Sequence, residues 1–382
     1  MRADIAERLR PVVQAADRSS RNNDDTASFP VDVLNAMRRT GMLGLLVGRE
    51  YGGLGGNLKD LVDATVSLSR VDMSAGIILA MHCQQALTLQ RYGTPSLLGS
   101  VLPEIASGRL YLGSVTTGST TGGHLLKTDS TAMHTGDGFV IDRLAPIVTG
   151  GLRAEAFLIT IGSPDVEDAT DLLFARRAEL DIEVLGGWDP VGMRATESIP
   201  LRLRGKVARE NLIGGPAGFA RIVAECFGPI AHLGWSAAWL GAAAGALSRV
   251  VTEGRRNASY RIDTNSDHQM MELGRVRGRL EAVNASLQHA VTLAGGTSEA
   301  IHSPNTQLAL NRLKTFASIE CFEVVDDLIS MVGLKRGYTT NSELNLEQTW
   351  RDLRSASLNY SNDRLERTNG FLALRDTNVR FA

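Results

Sequence analysis

The chain has 382 residues, 43% of them hydrophobic, enough for a large buried core organised as two or three structural units. Forty basic residues nearly balance 42 acidic ones, so nothing in the charge points to nucleic acid or an anionic membrane as a partner. The three cysteines, Cys83, Cys226 and Cys321, lie far apart without CxxC spacing; this argues against a zinc site or a disulfide framework and for buried thiols in a reducing cytoplasm.

The first segment, MRADIAERLRPVVQAADRSSRNND, carries charge throughout and has no long apolar run. It reads as neither signal peptide nor membrane span, so a soluble, cytoplasmic protein is expected. From Pro30 to Leu46 the apolar residues Val31, Leu34, Met37, Met42 and Leu45 recur near helical spacing, and GREYGGLGG ends the pattern with glycines. Leu61 to Leu68 and Ala75 to Tyr92 read as further helices, the second apolar nearly all round and therefore buried. Residues 1–110 are thus expected to form a helical domain.

Between Tyr111 and Ile213 short β-branched runs such as GFVIDRLAPIVTG and AEAFLITIG alternate with Gly, Asp and Pro. Several strands without intervening helical patterns predict a barrel or sandwich over 111–215. The helical period then returns for 216–382. Met270, Leu273, Val276, Leu280, Val283, Leu287 and Val291 form one stripe, and Leu313, Phe316, Val324, Leu328 and Met331 form another. The small residues of AAWLGAAAGAL, Ala237 to Leu247, would let two helices approach closely. The expected class is α+β: helical domain, sheet domain, bundle of four long helices.

This plan resembles the acyl-CoA dehydrogenase superfamily across nearly the whole chain. The resemblance is carried by FPVDVLNAMRRTGMLGLLVGREYGGLGG, RYGTPSLLGSVLPEIASGRL, GDGFVIDRLAPIVTGG, GMRATESIPLRLRGKVARENLIGG and WRDLRSASLNYSNDRLER, in the family's order and spacing. It implies a flavin, FAD or reduced FAD/FMN as cosubstrate, bordered by Val115, Thr116, Gly122, Gly123, Ile147, Val148 and Thr149. Departures are visible. Ile147 stands where the family usually has an aromatic, Thr117-Gly118 replaces Glu-Pro, and NASYRIDTN replaces an Arg-x-Gln-Phe segment, leaving Arg256 or Arg261 as phosphate partners. The Gln-x-x-Gly-Gly motif is reduced to SMVGL, which keeps Gly333.

Dehydrogenating a thioester needs a carboxylate to take the α-proton. The resemblance places Tyr360 at the usual glutamate position and Ala231 at the alternative one, so neither holds a carboxylate. A tyrosine with pKa near 10 is a poor base at neutral pH, by about three logarithmic units. His232, beside Ala231, and His82, in AMHCQQAL, are candidates for acid–base work near pH 7, with Tyr360 orienting substrate and Asp363 as a nearby carboxylate. Arg194 and Arg204 are candidates for a coenzyme A phosphate. The resemblance therefore implies a flavin-dependent oxidoreductase acting on an acyl-thioester, carrier-bound or specialised-metabolite substrate without the usual glutamate. A two-component monooxygenase supplied by a flavin reductase, and a non-redox enzyme or binding protein, are the alternatives. An electron acceptor is the partner of the first reading, and a homodimer or homotetramer is expected in each.

Overall fold

The structure is a computed structural model that describes residues 1–118, 124–256, 262–296 and 301–375. Its elements in chain order begin with helices α1 (Ala3–Asp25), α2 (Val31–Thr40), α3 (Leu58–Ser69), α4 (Met73–Tyr92) and α5 (Pro95–Ala106). Strands β1 (Leu112–Val115), β2 (Met133–His134), β3 (Gly138–Val148), β4 (Ala156–Gly162), β5 (Thr170–Arg176), β6 (Leu180–Val184), β7 (Ile199–Ala208) and β8 (Leu212–Ile213) follow. Helices α6 (Phe219–Ile222), α7 (Gly228–Arg256), α8 (Asp267–Ala294), α9 (Pro304–Val332), α10 (Leu346–Leu353) and α11 (Asn362–Ala373) come next among the described residues. The chain divides into two compact units: residues 1–61, 78–189 and 194–231, and residues 62–77, 190–193 and 232–382.

In the first unit α2 stops at Gly41, whose φ of 75° lets its N–H turn back to the carbonyls of Arg38 and Met37. The following glycines are needed for close approach: a Cβ on Gly53 would lie 2.2 Å from the Val47 carbonyl oxygen. α5 is started by Thr94, whose side chain accepts from the Leu97 N–H, with proline in the first turn. The strands form two four-stranded sheets, ordered β1-β4-β5-β8 and β2-β3-β7-β6. All pairs are antiparallel except β1 with β4. β4 is buried along its whole length, whereas β3 alternates, burying Phe139, Ile141, Arg143 and Ala145 and exposing Asp142 and Leu144. A continuous core joins Ala86, Leu89, Val101 and Ile105 to Leu158 and Phe174.

In the second unit three long helices, α7, α8 and α9, span 29, 28 and 29 residues. The shorter α10 and α11 pack on α9. Ser266 and Ser303 cap α8 and α9 by accepting from backbone N–H groups three residues on. The small-residue run does what its composition suggests. A Cβ on Gly241 would come within 2.5 Å of the Val66 carbonyl, and one on Gly245 within 2.2 Å of the Arg70 carbonyl. α8 buries Val276, Leu280, Val283 and Leu287, while Arg279 on its outer side reaches Glu320 at 2.6 Å and Asp327 at 2.8 Å on α9. The three cysteines are free and buried. Among the described residues no helix is long and apolar enough to cross a membrane.

Candidate functional site

In the first unit the sheets place the exits of β1 and β3 side by side. Thr117 Oγ1 donates to the Ile147 carbonyl at 3.0 Å. Behind this junction sits Arg143, fully buried. Its Nε donates to the Thr160 carbonyl at 2.8 Å, Nη2 to Thr117 O at 2.7 Å and Nη1 to Leu144 O at 2.5 Å. One guanidinium thus satisfies carbonyls on β3, on β4 and in the segment after β1. Burial lowers its pKa from the ordinary arginine value, and Asp129 opposes that shift. In front, Ile147 is 46% exposed, an apolar side chain left uncovered at the end of a strand. Beside it Thr149 Oγ1 and Ser198 Oγ lie 2.9 Å apart, and Ser198 meets Thr196 at 2.7 Å.

Val115 and Val148 differ from expectation. Both side chains are fully buried in the sheet core, and the Val115 carbonyl accepts from Thr160 Oγ1 at 3.2 Å. Neither side chain is therefore available to a ligand, and Thr116, Ile147 and Thr149 remain the half-buried or exposed members of the set. Gly122, Gly123 and Arg261 lie outside the described residues. A flavin ring needs an apolar contact beside polar groups. Uncovered Ile147 next to the threonine hydroxyls meets that need, with backbone order supplied by Arg143.

His82 has a structural role in place of the expected acid–base role. It is fully buried on α4, with Nε2 2.9 Å from the Leu43 carbonyl and Nδ1 accepting from the Leu112 N–H at 3.1 Å. These partners fix the tautomer as Nε2–H and occupy both ring nitrogens. The ring also stacks on Tyr111, centroids 5.5 Å apart, and burial pushes its pKa down to about 4.

The second unit brings His232 and Tyr360 together, their rings edge-on at 6.0 Å. Trp235 meets His232 in the same manner at 6.3 Å. Burial, assisted by the positive charge of Lys314, pushes His232 down to about 3, so the imidazole stays neutral and does not titrate near pH 7 as expected. Burial also raises the Tyr360 phenol, with Arg364 opposing. His232, Ser236 and Trp239 lie at helical spacing on one face of α7. His232 Nδ1, Ser236 Oγ and Trp239 Nε1 are buried without a hydrogen-bond partner among the described residues.

Facing them is Lys314, fully buried on α9. Its Nζ donates to the Tyr360 carbonyl at 2.9 Å and to Asn362 Oδ1 at 2.7 Å. The same nitrogen lies 5.6 Å from the Trp239 ring centroid. Burial lowers the Lys314 pKa to about 7.

Other expected residues are placed differently. Arg194 donates to the Asp24 carbonyl at 2.8 Å and to Asp189 at 3.1 Å, fastening the end of α1 instead of standing free for a phosphate. Arg204 pairs with Glu183 at 2.6 Å. Ala231 is half-buried on α7, and Asp363 is exposed at the start of α11. Gly333, with φ 79°, ends α9. Sequence reasoning missed Arg143 and Lys314. For Arg143 a signal existed: it occupies the inward position of the strand alternation Phe139, Ile141, Arg143, Ala145. Lys314, beside Leu313 in an apolar stripe, carried no comparable mark.

In chain order, a helical region, two small sheets and a bundle of long helices carrying a cluster of buried polar groups are the elements of an acyl-CoA dehydrogenase-like fold. Residues 1–109 match the family model "Acyl-CoA dehydrogenase, N-terminal domain" and residues 233–361 match "Acyl-CoA dehydrogenase, C-terminal domain". The chain belongs to the acyl-CoA dehydrogenase superfamily and is an enzyme of that oxidoreductase type. Amino sugar nitrososynthase DnmZ of Streptomyces peucetius is 26% identical over 92% of this chain and 87% of its own length. Dibenzothiophene monooxygenase of Rhodococcus qingshengii is 23% identical over 84% of this chain and 81% of its own. Among solved structures, FMN-bound TdsC from Paenibacillus superposes with a TM-score of 0.86 at 21% identity, covering 98% of both chains. Butyryl-CoA dehydrogenase from Megasphaera elsdenii gives 0.85 at 16%, covering 98% of this chain and 99% of that one. These likenesses establish the fold.

Proposed function

We propose that the chain is a flavin-dependent monooxygenase working on a specialised metabolite with reduced flavin and dioxygen, and not a thioester dehydrogenase. One observation carries this reading. Tyr360, which the resemblance aligns with the family's carboxylate base, has a phenol moved further from ionising, set against an imidazole held neutral by burial. Such a pair donates and accepts hydrogen bonds but does not strip a proton from carbon at neutral pH. Oxygen transfer to a nucleophilic substrate atom makes no such demand. The relatives named for nitrososynthase and monooxygenase activity along most of the chain support the same reading.

Reduced flavin, when bound, supplies the two electrons with which dioxygen is divided between product and water. The residues do the rest. Thr116, Ile147 and Thr149 border the ring, Val115 and Val148 contributing only backbone, and Arg143 keeps the junction of β1 and β3 rigid. Tyr360 orients the substrate. His232 acts as a neutral hydrogen-bonding group through Nδ1, which has no partner among the described residues. A flavin reductase is the implied partner, and assembly as a homodimer or homotetramer belongs to the reading.

The test is oxygen uptake by the purified chain with enzymatically reduced FMN or FAD, with and without amino sugars, aromatic heterocycles or acyl-CoA. Uptake coupled to product oxygenation is expected with one of the first two. Anaerobic bleaching of bound flavin by acyl-CoA would favour the dehydrogenase. No thermal shift with oxidised or reduced flavin would favour a non-redox protein.

A further inference from the structure

We propose that Lys314 is a positioning residue: its buried Nζ holds the Tyr360 turn in its left-handed conformation and thereby sets the Tyr360 ring against His232. Tyr360 has φ 51° without being glycine, a backbone conformation that a bulky side chain adopts only when its surroundings impose it. The imposing contact is on the same residue. Lys314 Nζ donates to the Tyr360 carbonyl at 2.9 Å and, across the turn, to Asn362 Oδ1 at 2.7 Å. Asn362 is itself anchored, its Nδ2 donating at 3.0 Å to Ser318 Oγ, one turn along α9 from the lysine. Lysine, turn and asparagine therefore form a clamp between α9 and the start of α11, with the Trp239 ring on the other side of the ammonium.

Stability does not explain this lysine. Its hydrogen-bond partners are a carbonyl and an amide, both uncharged. On α7 the facing His232 is neutral, and on α11 the nearby charges are Arg364 and the exposed Asp363. A buried ammonium without a carboxylate is costly, and a side chain of equal length without charge would pack there at less cost. A residue kept at a destabilising position where it secures a strained turn is explained by what the turn presents, namely the Tyr360 ring. The inference rests on the reading of Tyr360 as a substrate-side residue, but its test observes the turn directly.

The experiment is peptide-resolved hydrogen exchange over residues 354–362 of the full chain, together with the thermal midpoint, for the native protein, Lys314→Met and Lys314→Arg. Lys314→Met is expected to speed exchange in the turn about tenfold or more, leave α7 and α9 protected, and leave the midpoint unchanged or higher. Lys314→Arg, which keeps charge and donors, is expected to retain slow exchange. A lysine that only filled space would leave turn exchange at the native rate in Lys314→Met, because methionine fills the same space. Turn exchange within about twofold of native in Lys314→Met would overturn the proposal. Should that variant fail to fold, Asn362→Ala decides on the same peptide: faster exchange supports the clamp, unchanged exchange overturns it. A loosened turn with unaltered turnover would support the clamp while removing Tyr360 from the catalytic reading.

Discussion

The imidazole of His232 stands edge-on to the ring of Tyr360, centroids 6.0 Å apart and planes at 83°. Neither partner carries charge near neutral pH, so their contribution is directional. His232→Asn, which keeps a hydrogen-bonding side chain, is expected to lower turnover modestly. His232→Leu and Tyr360→Phe are expected to lower it about tenfold or more, the loss of roughly one hydrogen bond in the transition state. Because His232 is pushed to about 3, the rate profile between pH 5.5 and pH 8 keeps its shape in His232→Asn. An inflection near 6.5 that vanishes in this variant would show that the histidine does titrate. The measurement is oxygen uptake as a function of pH with reduced flavin.

Acid is expected to destabilise the fold through its two buried histidines. Each folded pKa, about 4 for His82 and about 3 for His232, lies below the ordinary 6.5. As pH falls below that value the unfolded chain takes up protons that the native one refuses, and stability drops until the folded pKa is reached. The slope is at most about 1.4 kcal/mol per pH unit per histidine. Denaturant unfolding between pH 7 and pH 5 measures it, and His82→Gln should flatten it by its share. An unchanged slope in that variant would show that His82 is protonated in the native state.

Lys314 acts at the other end of the scale. Its folded pKa of about 7 lies below the ordinary 10.5, so between those values the unfolded chain holds a proton that the native one has released. Stability therefore rises with pH from about 7 to about 10.5, and the penalty is complete below 7. Lys314→Met removes this rise. Unfolding at pH 7 and pH 9 gives the comparison, the difference between variant and native being largest at the lower pH.

Arg143→Met leaves three carbonyl groups without the donors that one guanidinium supplied. Loss of a buried charged network is expected to cost about 3 kcal/mol or more of stability. The cost is to appear as a lower denaturant midpoint together with weaker flavin binding in a fluorescence titration. Arg143→Met with native flavin affinity would mean that the junction of β1 and β3 does not hold the ring.

Much of this was legible along the chain. Apolar residues three and four apart defined α8 to within a few residues and marked the later part of α9, which begins at Pro304, ahead of the stripe that opens at Leu313; the β-branched runs bounded the sheets between Leu112 and Ile213. The glycines of Ala237–Leu247 announced a close helix approach, and the scattered cysteines announced buried thiols. These properties are local, because side-chain period and size act within one element.

Three-dimensional packing alone decided what those residues do. His82 looked like a proton carrier until Leu43 and Leu112, 39 and 30 positions away, occupied both its nitrogens. Lys314 meets a carbonyl 46 positions along the chain, and Arg143 spans two sheets. Charge state depends on how much water and which dipoles surround a group, and those are set by segments distant in sequence. A linear pattern fixes which faces are apolar; only their assembly determines which polar atoms are left with a partner.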